Sequence, residues 1–141
     1  MKKKQVWRYN CDHCNAKKYT VASMKHHEER CTMNPDRICG MCAKTGCDQK
    51  PMADILAVLP DPIAFKREGE FCDSYPGFTE ALKEAWPALI DVTEACPVCI
   101  LAGLRQKGIH PGDSPGWDFK KACASIFSDM NDHPSLTVYY D

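Results

Sequence analysis

Ten cysteines and five histidines fall within 141 residues. The densest run is YNCDHCNAKKYTVASMKHHEERC, residues 9–31. Within it Cys11, Cys14, His27 and Cys31 follow the spacing Cys-x2-Cys-x12-His-x3-Cys. That is a full set of soft or borderline ligands for one tetrahedral zinc ion. A two-residue gap lets both thiolates of a tight turn face the ion. A three-residue gap places His27 and Cys31 one turn apart on the same helix face. With every position filled by protein, such an ion is structural rather than catalytic. Its binding, on the order of 10–16 kcal/mol in finger peptides, folds a small module around itself. His26 is an alternative ligand one residue short of this spacing, and His13 reads as a solvated turn residue.

These residues resemble the zinc finger family with two cysteines and two histidines, in the variant where cysteine replaces the last histidine. The resemblance covers residues 7–31. Tyr9, two before the first ligand, and Met24, three before His27, match two of the family's three core positions. The third is occupied by Lys18, with Tyr19 beside it. The resemblance implies a ββα unit and places Thr20, Ser23 and His26 at the base-reading helix positions. None of the three is an arginine or asparagine suited to bidentate base readout, and one finger spans about three base pairs. Backbone-led contact is therefore the expectation, with Arg8, Lys17, Lys18, Ser23, Lys25 and His26 as candidate nucleic-acid contacts.

Seven cysteines remain: 39, 42, 47, 72, 96, 99 and 123. ICGMC (38–42) looks like a zinc knuckle, and ACPVCI (95–100) sets Cys96 and Cys99 at the start of an expected helix, where the dipole favours thiolate. A knuckle with a helix-start pair resembles the ligand arrangement of treble-clef zinc domains, so Cys39, Cys42, Cys96 and Cys99 are a candidate second zinc site. Two alternatives stay open: a local set of Cys39, Cys42, Cys47 and Cys72, and an iron–sulfur cluster on similar ligands. A third concerns Cys96-Pro97-Val98-Cys99, which resembles the thioredoxin and glutaredoxin motif, with Pro134 echoing that family's proline. Cys96 would then be the nucleophile and Cys99 the resolving thiol. Cys123 falls on an apolar stripe and reads as core.

The net charge of −1 conceals an asymmetry. Residues 1–38 carry nine Lys or Arg against four acids, and the rest carry nine against fifteen. A basic front on an acidic body suits an anionic partner, either nucleic acid or an acidic protein surface. The start, MKKKQVWRYN, has no apolar stretch behind its lysines and predicts no secretory signal. The longest apolar run, from Ile55, is too short for a bilayer. The expectation is an intracellular, cytoplasmic protein in a reducing compartment, where paired cysteines bind metal or do redox work.

The elements that would position these ligands are mainly helical. Pro51 opens and Pro60 stops a helix over 51–59, while residues 60–77 look irregular. Thr79 is a candidate N-cap for a helix carrying Leu82, Trp86 and Leu89 on one face, with Pro87 predicting a kink or restart. PVCILAGLRQK (97–107) has Pro at its first position and Gly108 as its stop. A third helix runs from about Pro115 to Met130, and SLTVYY is the strand candidate. The fold class expected is small, metal-stabilised and mainly α, with a ββα-like finger at residues 1–34. A cysteine-clasped helical body with a short C-terminal strand follows at 35–141. No acid–base pair, serine triad or phosphate loop is present, GDSPGWD lacking the Gly-Lys-Ser/Thr ending. The protein is expected to be non-catalytic and to take no small-molecule substrate. Its expected role is nucleic-acid contact, with a protein adaptor or inhibitor, or a thiol–disulfide oxidoreductase, as alternatives.

Overall fold

A computed structural model describes residues 1–132. The expected strand SLTVYY, with His133 and Pro134, lies outside the described residues. The described chain begins with two short antiparallel strands, β1 (Tyr9–Asn10) and β2 (Lys17–Lys18), Tyr9 facing Lys18. Helix α1 (Val21–Arg30) follows, capped by Thr20, whose hydroxyl accepts from the Ser23 N–H at 3.2 Å. Five further helices complete the described residues: α2 (Gly40–Thr45), α3 (Met52–Val58), α4 (Phe78–Thr93), α5 (Pro97–Lys107) and α6 (Phe119–Asp132). The molecule is thus small and mainly helical. No described helix is long and apolar enough to cross a membrane.

Two separate buried clusters form. The larger packs Ile55 and Leu59 against Leu82 and Leu89 of α4 and Ile100 and Leu104 of α5, and it includes Cys39, Cys42, Cys96 and Cys99. Spacings of four and seven residues put each helical pair on one face. Gly103 lets α3 approach α5 closely, since a Cβ there would lie 2.6 Å from Ile55 Cγ2. The smaller cluster buries only Cys11, Met24 and Cys31, far too little apolar surface to offset the ordering entropy of some twenty residues. The two clusters are tied together by polar bonds. Gln106 Nε2 donates to the Thr32 and Asn34 carbonyls at 2.8 and 3.1 Å, and Arg105 Nη1 donates to Thr32 Oγ1 at 2.5 Å.

The helices at 51–59 and 97–107 lie where proline and glycine punctuation places them. Others differ. Helix α4 starts at Phe78, not beyond Thr79, because Gly77 at φ 80° turns the chain and swings Phe78 inward, edge-on to Phe65 at 5.7 Å. Pro87 neither ends nor restarts it: α4 continues to Thr93. Pro87 lies on the exposed side, while the buried Leu82 and Leu89 hold the helix on either side of it. Helix α6 begins at Phe119 rather than near Pro115. Gly116 turns at φ 70°, and Asp118 accepts from the Lys121 N–H at 2.9 Å, so the side-chain cap sits at 118. The stretch 60–77 contains a 3₁₀ turn at Pro62–Phe65 and a bridge between Arg67 and Ser74.

Candidate metal centres

The first centre is assembled by local chain. Cys11 and Cys14 flank the turn between β1 and β2, closed by the Cys11 N–H to Ala16 carbonyl bond at 3.0 Å. Within this turn the His13 N–H points at Cys11 Sγ and the Ala16 N–H at Cys14 Sγ, each at 3.4 Å. Such backbone dipoles favour thiolate over thiol. His27 lies on α1 and Cys31 caps its end. Cys14 Sγ lies 3.3 Å from His27 Nε2, and the four ligand atoms lie within 4.8 Å of one another. A zinc ion with bonds of about 2.3 Å to sulfur and 2.0–2.1 Å to nitrogen has a tetrahedral S···N edge of roughly 3.5 Å. The geometry suits one ion. Burial raises the Cys14 thiol, but the Ala16 N–H and the neighbouring His27 and cysteines outweigh it, lowering Cys14 to about 7. Burial pushes Cys31 up. His26 is not in this group; it faces Arg30 Nη1 instead.

The second centre draws on distant chain. Cys39 caps α2, its Sγ accepting from the Cys42 N–H at 3.4 Å, so one turn of helix points both thiols the same way. Cys96 occupies the cap position of α5 and Cys99 its first turn, Pro97 fitting between them because the first helical position needs no N–H donor. The Sγ atoms of Cys39 and Cys96 lie 3.7 Å apart and those of Cys42 and Cys99 3.5 Å apart. A tetrahedron with bonds of about 2.3 Å has S···S edges of roughly 3.8 Å. A disulfide needs about 2.05 Å, and all ten cysteines are free thiols. A cluster of several irons would hold its thiolates further apart than the 4.8 Å that encloses these four. Cys47 and Cys72 stand outside the group: Cys47 receives the Thr45 hydroxyl at 3.1 Å, and Cys72 is exposed.

Without a cation, these four sulfurs are held unequal by one another. The Cys96 and Cys99 thiols hold Cys39 far below the usual thiol range. Cys39 in turn pushes Cys96 far up and Cys99 up to about 12, and burial drives Cys42 up. A divalent ion reverses this, deprotonating a coordinating thiol outright. Arg37 supplies the second sign of fit. Its side chain is 3 % exposed, Nη2 donates to Cys99 Sγ at 3.1 Å, and among the described residues Nε and Nη1 have no partner. A buried guanidinium with two orphaned donors is costly, and a multiply charged thiolate centre beside it offsets that cost. Gln49 joins the arrangement, donating to the Arg37 carbonyl at 2.8 Å and accepting from the Cys39 N–H at 2.6 Å.

The other candidate contacts are spread over the first strands and α1. Arg8, Lys17, Ser23, Lys25 and His26 are exposed and Lys18 is half-buried, with the Arg8 guanidinium 5.7 Å over the Tyr19 ring. Cys123 is half-buried against the larger core, and Trp86 packs on Trp117 with ring centroids 5.9 Å apart. His110 accepts from the Gly112 N–H at 3.0 Å and holds a turn. Sequence reasoning missed Arg37 and Gln49. The available signal was a cation two residues before a cysteine pair, which local spacing alone does not mark as buried. Comparison of the chain with family models, curated proteins and solved structures finds no match.

Proposed function

We propose that this is a non-catalytic zinc protein whose basic N-terminal face, residues 1–34, contacts nucleic acid through its phosphate backbone. The described residues from 35 to 132 form the helical body behind it, clasped by the second zinc. The observation that carries the reading is the pair of closed four-ligand sets, Cys11/Cys14/His27/Cys31 and Cys39/Cys42/Cys96/Cys99. Neither leaves a coordination position for a substrate, which is the mark of structural zinc. The strand–strand–helix order around the first set supports the zinc-finger reading. Arg8, Lys17, Lys18 and Lys25 supply positive charge there without a bidentate base reader, which suits phosphate contact over sequence readout. Ten cysteines with no disulfide among them suit a reducing, cytoplasmic setting.

The redox alternative needs an accessible, low-pKa nucleophile. Cys96 and Cys99 are 2 % and 1 % exposed, which counts against it. Two assays test the proposal. Binding to a labelled mixed-sequence oligonucleotide should weaken steeply with salt; affinity retained at high salt, or no binding, would replace nucleic acid with a protein partner. Insulin reduction should be equally negligible for the wild type and Cys96→Ser; a rate lost in the variant would restore the oxidoreductase.

A further inference from the structure

Three of the candidate contacts converge on one cavity. Lys18, Ser23 and His26 line a cleft of about 390 Å³ together with Arg30, Thr32 and Arg105. Ser23, His26 and Arg30 follow each other at three- and four-residue steps, which sets them on a single face of α1. Lys18 enters from β2 and Arg105 from the last turn of α5. Cations from three separate elements therefore face one volume, and among the described residues no aspartate or glutamate lines it. The cleft size falls in the range of ligand pockets, about 300–1,000 Å³.

Two side-chain contacts lie within the cleft. Arg105 donates to Thr32 Oγ1 at 2.5 Å, and Arg30 Nη1 contacts His26 Nε2. The Gln106 bonds to the Thr32 and Asn34 carbonyls clamp α5 against the chain leaving α1. A cleft in which one sign of charge predominates focuses its field and concentrates ions of opposite sign. Arginine at such a position offers a planar fork of donors matched to phosphate oxygens. The metal-site ligands Cys14, His27 and Cys31 border the same cleft. Three thiolates on a divalent ion carry one net negative charge, which three cationic side chains outweigh.

We propose that this cleft is a phosphate seat, built by Arg30, Arg105 and Lys18, that grips a nucleic-acid phosphodiester between α1 and α5. The proposal rests on the nucleic-acid reading above and adds that part of the contact comes from the helical body rather than from the first 34 residues alone. Ser23 and His26, which offer no bidentate base readout, serve here as hydroxyl and imidazole partners to the phosphate oxygens.

The test uses full-length, metal-loaded protein and a labelled oligonucleotide, single- and double-stranded, titrated over a range of salt. Arg105→Gln and Arg30→Gln are compared with Lys83→Gln, an exposed cation on α4 that does not line the cleft. Metal content checks that each variant is folded. Each cleft variant is expected to weaken binding to all sequences alike and to flatten the log–log salt slope by about one, with Lys83→Gln unchanged. If the wild type binds but both cleft variants match Lys83→Gln, the seat is overturned while the nucleic-acid reading stands. The cations would then serve only the negative ends of their helices. If the wild type binds no oligonucleotide, the nucleic-acid reading fails, and titration with inorganic phosphate and pyrophosphate decides the cleft. Binding lost in both arginine variants would keep the seat for a free phosphate, and no binding would remove it.

Discussion

Replacing Arg37 with methionine separates the metal-loaded protein from the metal-free one. The Arg37 guanidinium donates to Cys99 Sγ at 3.1 Å, and four thiolates on a bound divalent ion would leave two negative charges for it to offset. Losing a hydrogen bond to a charged partner costs about 1.5–3 kcal/mol. Metal affinity at the second centre should therefore fall by roughly 10- to 100-fold, the range typical of groups that support ligands from behind. Without metal the balance changes sign. Nε and Nη1 are buried with no partner among the described residues, and each such donor costs about 1–3 kcal/mol. Methionine, apolar but shorter by most of the guanidinium, removes both, so the metal-free variant should be about as stable as the wild type, as when buried charges are replaced by apolar groups. The assay is competition with a chromophoric chelator, using cobalt(II) absorption to separate the four-thiolate centre from the three-thiolate one, alongside thermal unfolding of both states. Unchanged affinity at the second centre would refute the argument. So would an equal loss of stability with and without metal, which would mark Arg37 as ordinary packing.

Further outcomes follow from the two unequal cores. His27→Ala should abolish ordered structure over residues 9–31, whose own buried cluster holds only Cys11, Met24 and Cys31, while leaving the helical core folded; amide NMR would show loss of dispersion confined to that segment, and a global collapse would contradict it. Gly103→Ala should destabilise by about 1–3 kcal/mol through overpacking, although alanine is the better helix former by about 1 kcal/mol. Its Cβ would sit 2.6 Å from Ile55 Cγ2, and a raised Tm would show that α3 yields. Leu82→Ala, at a side chain with no exposure, should cost about 2–5 kcal/mol by denaturant unfolding; a cost below 1 kcal/mol would mean the core collapses onto the gap.

The first ligand set was legible because its information is local. Spacings of two, twelve and three residues bring Cys11, Cys14, His27 and Cys31 together within one turn, one hairpin and one helix. The second set was legible only as two pairs. Fifty-three residues separate Cys42 from Cys96, and no short-range rule pairs them; the packing of α3, α4 and α5 does. Helix α2 escaped notice because GMCAKT is six residues long, too short to show a helical period, and is held by the Cys39 cap. Thr79 misled as a cap because a side-chain oxygen is a weaker constraint there than the positive φ of Gly77 with Phe78 buried behind it. Arg37 was hidden for the opposite reason: its charge reads as surface until the thiols that surround it are assembled from elsewhere.

Two metal ions held through seven cysteines and one histidine are what the proposed architecture depends on. Native mass spectrometry of protein purified without added metal, combined with elemental analysis and a thiol-alkylation count, tests it most directly. The expected result is two zinc ions per chain, with alkylation confined to Cys47, Cys72 and Cys123 until a chelator is added. One ion or none, or a Cys96–Cys99 disulfide that forms readily in the native protein, would contradict it.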